Sequence, residues 1–158
     1  MKGEYHDVGV GEAKRAAYPD KIETNGITSC LGIGILNKKD RIGYLGHYVN
    51  GVSSPESLID RAVDEAHDIG DLEVALAGNI PLSRESLEGD VKSFEEALEA
   101  YRKHGRWALQ MVRSKGIKEG NIRVWFGENP LDNYYFSMTV DTEKNTIKIE
   151  IVTDEDET

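Results

Sequence analysis

The chain has one cysteine and four prolines in 158 residues, and no long apolar run. A single thiol cannot close an internal disulfide or build a multi-cysteine zinc centre. It suits a reducing compartment, so a cytoplasmic location is expected. The longest apolar run, Leu31 to Leu36, is about six residues, against the roughly 18–20 that a membrane-spanning helix needs, so no membrane insertion is expected. The opening residues MKGEYHDVG hold no apolar stretch of signal-peptide type. Positive charge is also scarce: 19 Lys and Arg stand against 29 Asp and Glu, a net charge of −10. A surface that acidic repels phosphate backbones, which argues against nucleic acid as a partner.

Cofactor signatures are lacking too. Gly9-Val10-Gly11 and Gly32-Ile33-Gly34 are GxG fragments without the third glycine that opens a helix in a dinucleotide site. His6, His67 and His104 share no metal-ligand spacing. No cofactor and no metal are expected.

What is present fits one folded domain. Hydrophobic residues make up 39% and charged residues 30%, the balance of an ordinary globular chain long enough to bury a core. A single domain is expected over 1–153, followed by a disordered acidic tail at 154–158. Short strands are expected at 5–10 and 21–25, with an Ala- and Lys-rich loop between them and Gly26 ending the second. CLGIGIL (30–36) and RIGYLGHYV (41–49) read as a hairpin. Ser53 and Glu56 form a capping-box pattern for a helix that runs to Ile69 and ends at Gly70. A buried strand follows at 72–77, then a loop over 79–92. A long helix is expected from Ser93 to Lys115, with a kink possible at Gly105. Strands at 121–126, 133–140 and 146–152 complete the chain. Hairpins at both ends make this α+β: a β-sandwich-like arrangement of mostly antiparallel sheets with two outer helices.

The chemistry centres on the cysteine. A two-residue turn at Lys38-Lys39 would pair Asn37 with Asp40 and, counting outward, Gly34 with Gly43 and Cys30 with His47. Directly opposed Cβ atoms lie about 4.5–5.5 Å apart, within reach of an imidazole–thiol contact. The shared face carries Gly32, Gly34 and Gly43, which either leave space or admit another layer. A neighbouring histidine raises the thiolate fraction and can protonate a leaving amine. Pattern alone also allows the plainer reading, in which Cys30 is a packed core residue. Ser29, on the opposite face by alternation, is the weaker nucleophile. Glu12 reads as a solvated or capping carboxylate, His67 as a helix-surface residue, and Trp107 and Trp125 as core or half-buried aromatics.

Three stretches carry a family pattern: Val8-Gly9-Val10-Gly11-Glu12, then Thr24-x-Gly26-x-x-Ser29-Cys30, then Gly43-x-x-Gly46-His47. Through residues 8–50 they resemble the chemoreceptor glutamine deamidase family CheD, with its VGxGE strand, GLGSC-like cysteine motif and AHxMLP-like histidine motif. The resemblance implies a sandwich-like fold and a catalytic trio of Cys30, His47 and Thr24. Cys30 would attack a protein glutamine carboxamide, His47 would carry the proton, and Thr24 would orient the ring. It also implies hydrolysis of glutamyl methyl esters, a chemoreceptor as protein substrate and a CheC-like regulator as partner. The chain departs from the family at Val49-Asn50-Gly51, where a proline is usual, at Ala77-Gly78-Asn79, where the family tends to have AGG, and at Gly127 to Asp132, where a Gly- and Arg-containing segment is usual. Two other classes stay open: a non-enzymatic binding module that keeps the fold, and an amidase for a small-molecule amide.

Overall fold

Strand alternation sorts the apolar side chains into two layers. The computed structural model describes residues 3–49, 54–80, 91–127 and 134–153, leaving aside the side chains of 91–94 and 97. Among them are strands β1 (Tyr5–Asp7), β2 (Ala13–Ala17), β3 (Lys21–Ile27), β4 (Leu31–Asn37), β5 (Ile42–Tyr48), β6 (Leu72–Gly78), β7 (Ile122–Phe126), β8 (Tyr134–Asp141) and β9 (Thr146–Thr153), with helices α1 (Glu56–Glu65) and α2 (Val91–Ser114). The strands form a four-stranded sheet, β1-β3-β8-β9, and a five-stranded sheet, β2-β5-β4-β6-β7. Pairing is antiparallel except between β1 and β3 and between β6 and β7. The fold is α+β and sandwich-like, as expected. The acidic tail, Ser53 and most of the 79–92 loop lie outside the described residues.

In the five-stranded sheet, Leu31, Ile33, Ile35, Tyr44, Tyr48, Val74 and Leu76 face the helices and join Leu58, Ile59 and Ala62 of α1 and Ala108 and Val112 of α2. The opposite face contributes Leu36, Leu45, Ala75 and Ala77, which meet Ile22, Ile27, Phe136, Met138 and Val140 of the other sheet. The glycines on this face are there for close approach. A Cβ at Gly34 would lie 2.7 Å from the Met138 sulfur, and one at Gly43 would lie 2.6 Å from Val140.

Several expectations are corrected. The stretch taken as an Ala- and Lys-rich loop contains β2, which pairs with β5 from Ala13↔Gly46 to Ala17↔Ile42. It occupies a sheet edge, so its polar side chains remain exposed and its apolar pattern is weak. β3 does not stop at Gly26: a bulge between Thr24 and Ile27 shifts the register against β8, with Gly26 in the left-handed region at φ 68°. The extra residues change the alternation, so Thr24 and Ile27 both point into the sandwich. α1 ends at Glu65 rather than Ile69; the backbone extends at Ala66 and a separate 3-10 turn covers Ile69–Asp71. Pro55 holds the N-cap position without a side-chain cap.

α2 is continuous through Gly105. The glycine serves packing rather than bending, because a Cβ there would lie 2.6 Å from Asn79 Nδ2 and 2.9 Å from Phe126. Trp107 and Trp125 are 42% and 41% exposed, which is the half-buried alternative rather than core.

The main correction concerns the β4–β5 hairpin. Asn37 pairs with Ile42, which leaves a four-residue turn. Its geometry follows from Asn37, whose Oδ1 accepts the Asp40 N–H at 3.0 Å, and from Arg41 at φ 53°. Gly32 therefore stands opposite His47, and Leu31 opposite Tyr48. Cys30 sits in the bend just before β4, not in a pair with His47. The displacement is by two residues, so His47 keeps its face.

Candidate active site

His47 and Thr24 meet across the sandwich. His47 reaches inward from β5 of one sheet and Thr24 from β3 of the other; their exposures are 0% and 1%. Thr24 Oγ1 lies 2.8 Å from His47 Nδ1 and 2.8 Å from the Val8 carbonyl oxygen. The carbonyl can only accept, so the single hydroxyl proton goes to Val8. Thr24 Oγ1 must then accept from Nδ1–H. This network assigns the Nδ1–H tautomer and leaves the Nε2 lone pair free. Nε2 is buried and has no hydrogen-bond partner among the described residues. An unpartnered buried acceptor costs about 1–3 kcal/mol, and His104 Nε2 and Asn145 Oδ1 share this state among the described residues.

The N-terminal glycine segment holds this histidine in place. Gly11 N–H donates to the His47 carbonyl at 2.8 Å, and His47 N–H donates to the Glu12 carbonyl at 3.0 Å. Gly11 adopts φ 84°, which a side chain would resist. Glu12 Oε1 accepts from Gly9 N–H at 2.9 Å and closes the turn, which is the capping role expected of it. Val8 N–H is anchored on the Glu23 carbonyl at 2.8 Å. Val8 and the backbone of Gly11 and Glu12 were not legible as site-builders in the sequence; the VGVGE pattern was the one signal pointing to them.

Cys30 is the partly buried free thiol. Its loop is fixed by the end of β6: Asn79 N–H donates to the Cys30 carbonyl at 2.8 Å, and Ile80 N–H to the Thr28 carbonyl at 3.0 Å. Gly78, at φ 106°, is required there, since a Cβ would lie 2.4 Å from the Cys30 carbonyl oxygen. Asn79 takes the left-handed conformation at φ 51°, which asparagine tolerates better than most residues. The structure thus brings Thr24 and His47 into contact and sets Cys30 two residues before the glycine opposite His47. A diagonal position of this kind in a regular pair lies about 7–8 Å away between Cα atoms. The thiol makes no hydrogen bond to Nε2. Ser29 shares the bend, so strand alternation does not separate it from Cys30; its side chain hydrogen-bonds Tyr101 of α2.

Burial sets the protonation states. It pushes the Cys30 thiol up and the His47 imidazole down. Near neutral pH the free pair is therefore a neutral thiol and a neutral imidazole, with a base present and no preformed thiolate. Among the described residues, Glu4, His6 and Asp20 form a candidate cation cluster away from this pair, but His6 Nε2 and Asp20 Oδ2 are already joined at 2.9 Å.

The fold and site define an α+β sandwich with a buried, hydrogen-bonded Thr–His pair, and with its one cysteine in the bend before β4. No family model matches the sequence. No curated protein matches it either. Solved structures do. The hypothetical protein YfiH of Bacillus licheniformis aligns with a TM-score of 0.50 and 11% identity, covering 82% of this chain and 61% of that one. YlmD from Geobacillus stearothermophilus aligns with a TM-score of 0.46 and 12% identity, covering 77% of this chain and 51% of that one. The chain thus spans less than two thirds of either neighbour. The first likeness shows a shared fold alone. The resemblance to the deamidase family rests on the residues of the 8–50 stretch.

Proposed function

We propose that the protein is a cysteine-dependent amidohydrolase that converts protein glutamine side chains to glutamate. The observation that carries this reading is the Thr24–His47 hydrogen bond, because it leaves Nε2 as an unpartnered base on a histidine that pairs with Gly32, two residues after Cys30. The Cys30 sulfur attacks the carboxamide carbon while its proton passes to His47 Nε2. The tetrahedral adduct collapses, the C–N bond breaks, and the imidazolium returns the proton to the departing nitrogen as ammonia. Water, deprotonated by Nε2, then attacks the thioester, releasing glutamate and the thiol. A glutamyl methyl ester would follow the same path with methanol leaving. Chemoreceptor helices as substrate and a CheC-like regulator extend this reading through the resemblance; so does a cytoplasmic location.

Because burial disfavours the thiolate, the proton transfer accompanies attack rather than preceding it. His47 must be neutral for this, and its pKa lies below the ordinary 6.5. The rate is therefore expected to hold at neutral pH and to fall only on the acid side of about 6.5.

The test is ammonia release from a glutamine-containing receptor helix. Loss by at least about 10³-fold in Cys30→Ala and about 10²-fold in His47→Ala is expected. A thiol-selective probe should label Cys30 in the native protein, more slowly in His47→Ala. Labelling only after denaturation would overturn the reading in favour of a binding module. Release from small amides but not from protein would replace the substrate class.

A further inference from the structure

A cavity of about 530 Å³ lies between the end of β6, β7 and α2, within the size range typical of ligand sites. Its lining includes Asn79, Tyr101, Arg102, Arg106, Val124 and Phe126. Two of these tie it to the candidate nucleophile: Asn79 N–H bonds the Cys30 carbonyl, and the Tyr101 side chain bonds Ser29. Asn79 Nδ2 also donates to the Tyr101 carbonyl at 2.6 Å, which locks β6 to α2 at this point. Gly105 allows the approach, as noted above.

Arg102 and Arg106 are one helical turn apart on α2, so both guanidinium groups address one side. Positive charge concentrated in a concave site is unusual in a chain of net charge −10. Arg106 already takes a carboxylate, with Nη2 2.9 Å from Glu99 Oε1. Arg102 makes no ion pair among the described residues. Val124 and Phe126 supply an apolar wall for the stem of an incoming side chain.

We infer that this cavity is the substrate subsite for acidic residues flanking the target glutamine, with Arg102 and Arg106 receiving their carboxylates. The inference rests on the hydrolase reading for its substrate, but not for its binding chemistry. The protein as a whole repels acidic peptides, so this pair would admit them at one place only. Glu99 competes for Arg106 in the free protein and yields it when substrate arrives.

The experiment uses the full chain carrying Cys30→Ala, so that nothing is turned over. Its binding to a fluorescent glutamine peptide with glutamates on both sides is compared, by anisotropy at low salt, with the same peptide flanked by alanines. The acidic peptide should bind at least about ten-fold more tightly. Arg102→Gln with Arg106→Gln should reduce that preference below about two-fold, and Glu99→Gln should increase it. Both arginines are exposed and glutamine keeps helix propensity, so unchanged thermal melts will confirm folding. Equal binding of the two peptides, or a preference indifferent to the arginines, overturns the inference. Ammonia release by the unaltered protein separates the two readings. Release without charge preference removes the subsite and keeps the hydrolase; arginine-dependent binding without release does the reverse.

Discussion

The two faces of the five-stranded sheet are equally dry and differently built. The helix-facing side is closed mainly by aliphatic residues such as Leu31, Ile33, Ile35 and Leu76 against α1 and α2, with the Tyr44 hydroxyl donating to Glu65 of α1. The sheet-facing side uses glycines and smaller residues, and within it lies a histidine hydrogen-bonded to a threonine. Folding alone would favour the first kind of packing on both sides, since buried polar groups cost free energy unless fully paired. The second face pairs Nδ1 and leaves Nε2 open. That asymmetry distinguishes an ordinary apolar layer from the layer that holds the candidate site.

The largest expected stability effect lies in the helix-facing layer. Leu76→Ala should cost about 2–5 kcal/mol by cavity formation, measured by urea denaturation. The Thr24–His47 contact, monitored by imidazole NMR in the folded protein, should persist. If the histidine signals change as much as the stability, the two faces are not separable.

Next is overpacking of the inter-sheet face. Gly34→Val would drive carbon into Met138 and Val140 and should cost about 1–3 kcal/mol. A neutral result would mean that the second sheet gives way, and that close approach is not what selects glycine.

Thr24→Val removes the acceptor from Nδ1–H and the donor from the Val8 carbonyl. A loss of about 1–3 kcal/mol is expected, together with a shift of His47 toward the Nε2–H tautomer in nitrogen NMR. Retention of the Nδ1–H tautomer would refute the assignment.

The smallest effect is in pH. Burial lowers the pKa of both His47 and His104 from 6.5. Below about pH 6.5 the unfolded chain therefore binds more protons than the folded one. Stability from this source is full above that pH and declines as the medium is acidified toward the folded-state values. His47→Gln should flatten that decline in a denaturation series, and an unchanged slope would place the titration elsewhere.

Much of this was legible from residue order. The α+β class, most strand positions, the long second helix and the juxtaposition of Thr24 with His47 followed from alternation, turns and the family-like stretch. What was missed has physical causes. β2 lies at a sheet edge and has little apolar pattern to reveal it. The hairpin register depended on an Asn37 side-chain bond that lengthened the turn, so Cys30 fell in a bend instead of opposite His47. Gly26 looked like a stop because glycine ends strands as readily as it forms bulges. Gly105 looked like a weak point because propensity says nothing of Asn79 and Phe126 packed against it.

The sequence by itself determined one thiol, a net charge of −10 for the whole chain, and the chemistry available to cysteine, histidine and threonine, since these depend on which atoms are present. The opening scarcity of cysteine thus narrows attention to a single candidate nucleophile. Only the tertiary structure decided which histidine nitrogen is free, that the Val8 carbonyl fixes it, and that two arginines of a distant helix line one cavity with Asn79, whose N–H bonds the Cys30 carbonyl. Those facts depend on contacts between segments far apart in the chain, and hydrogen-bond direction and cavity shape exist only once the sheets and helices have packed.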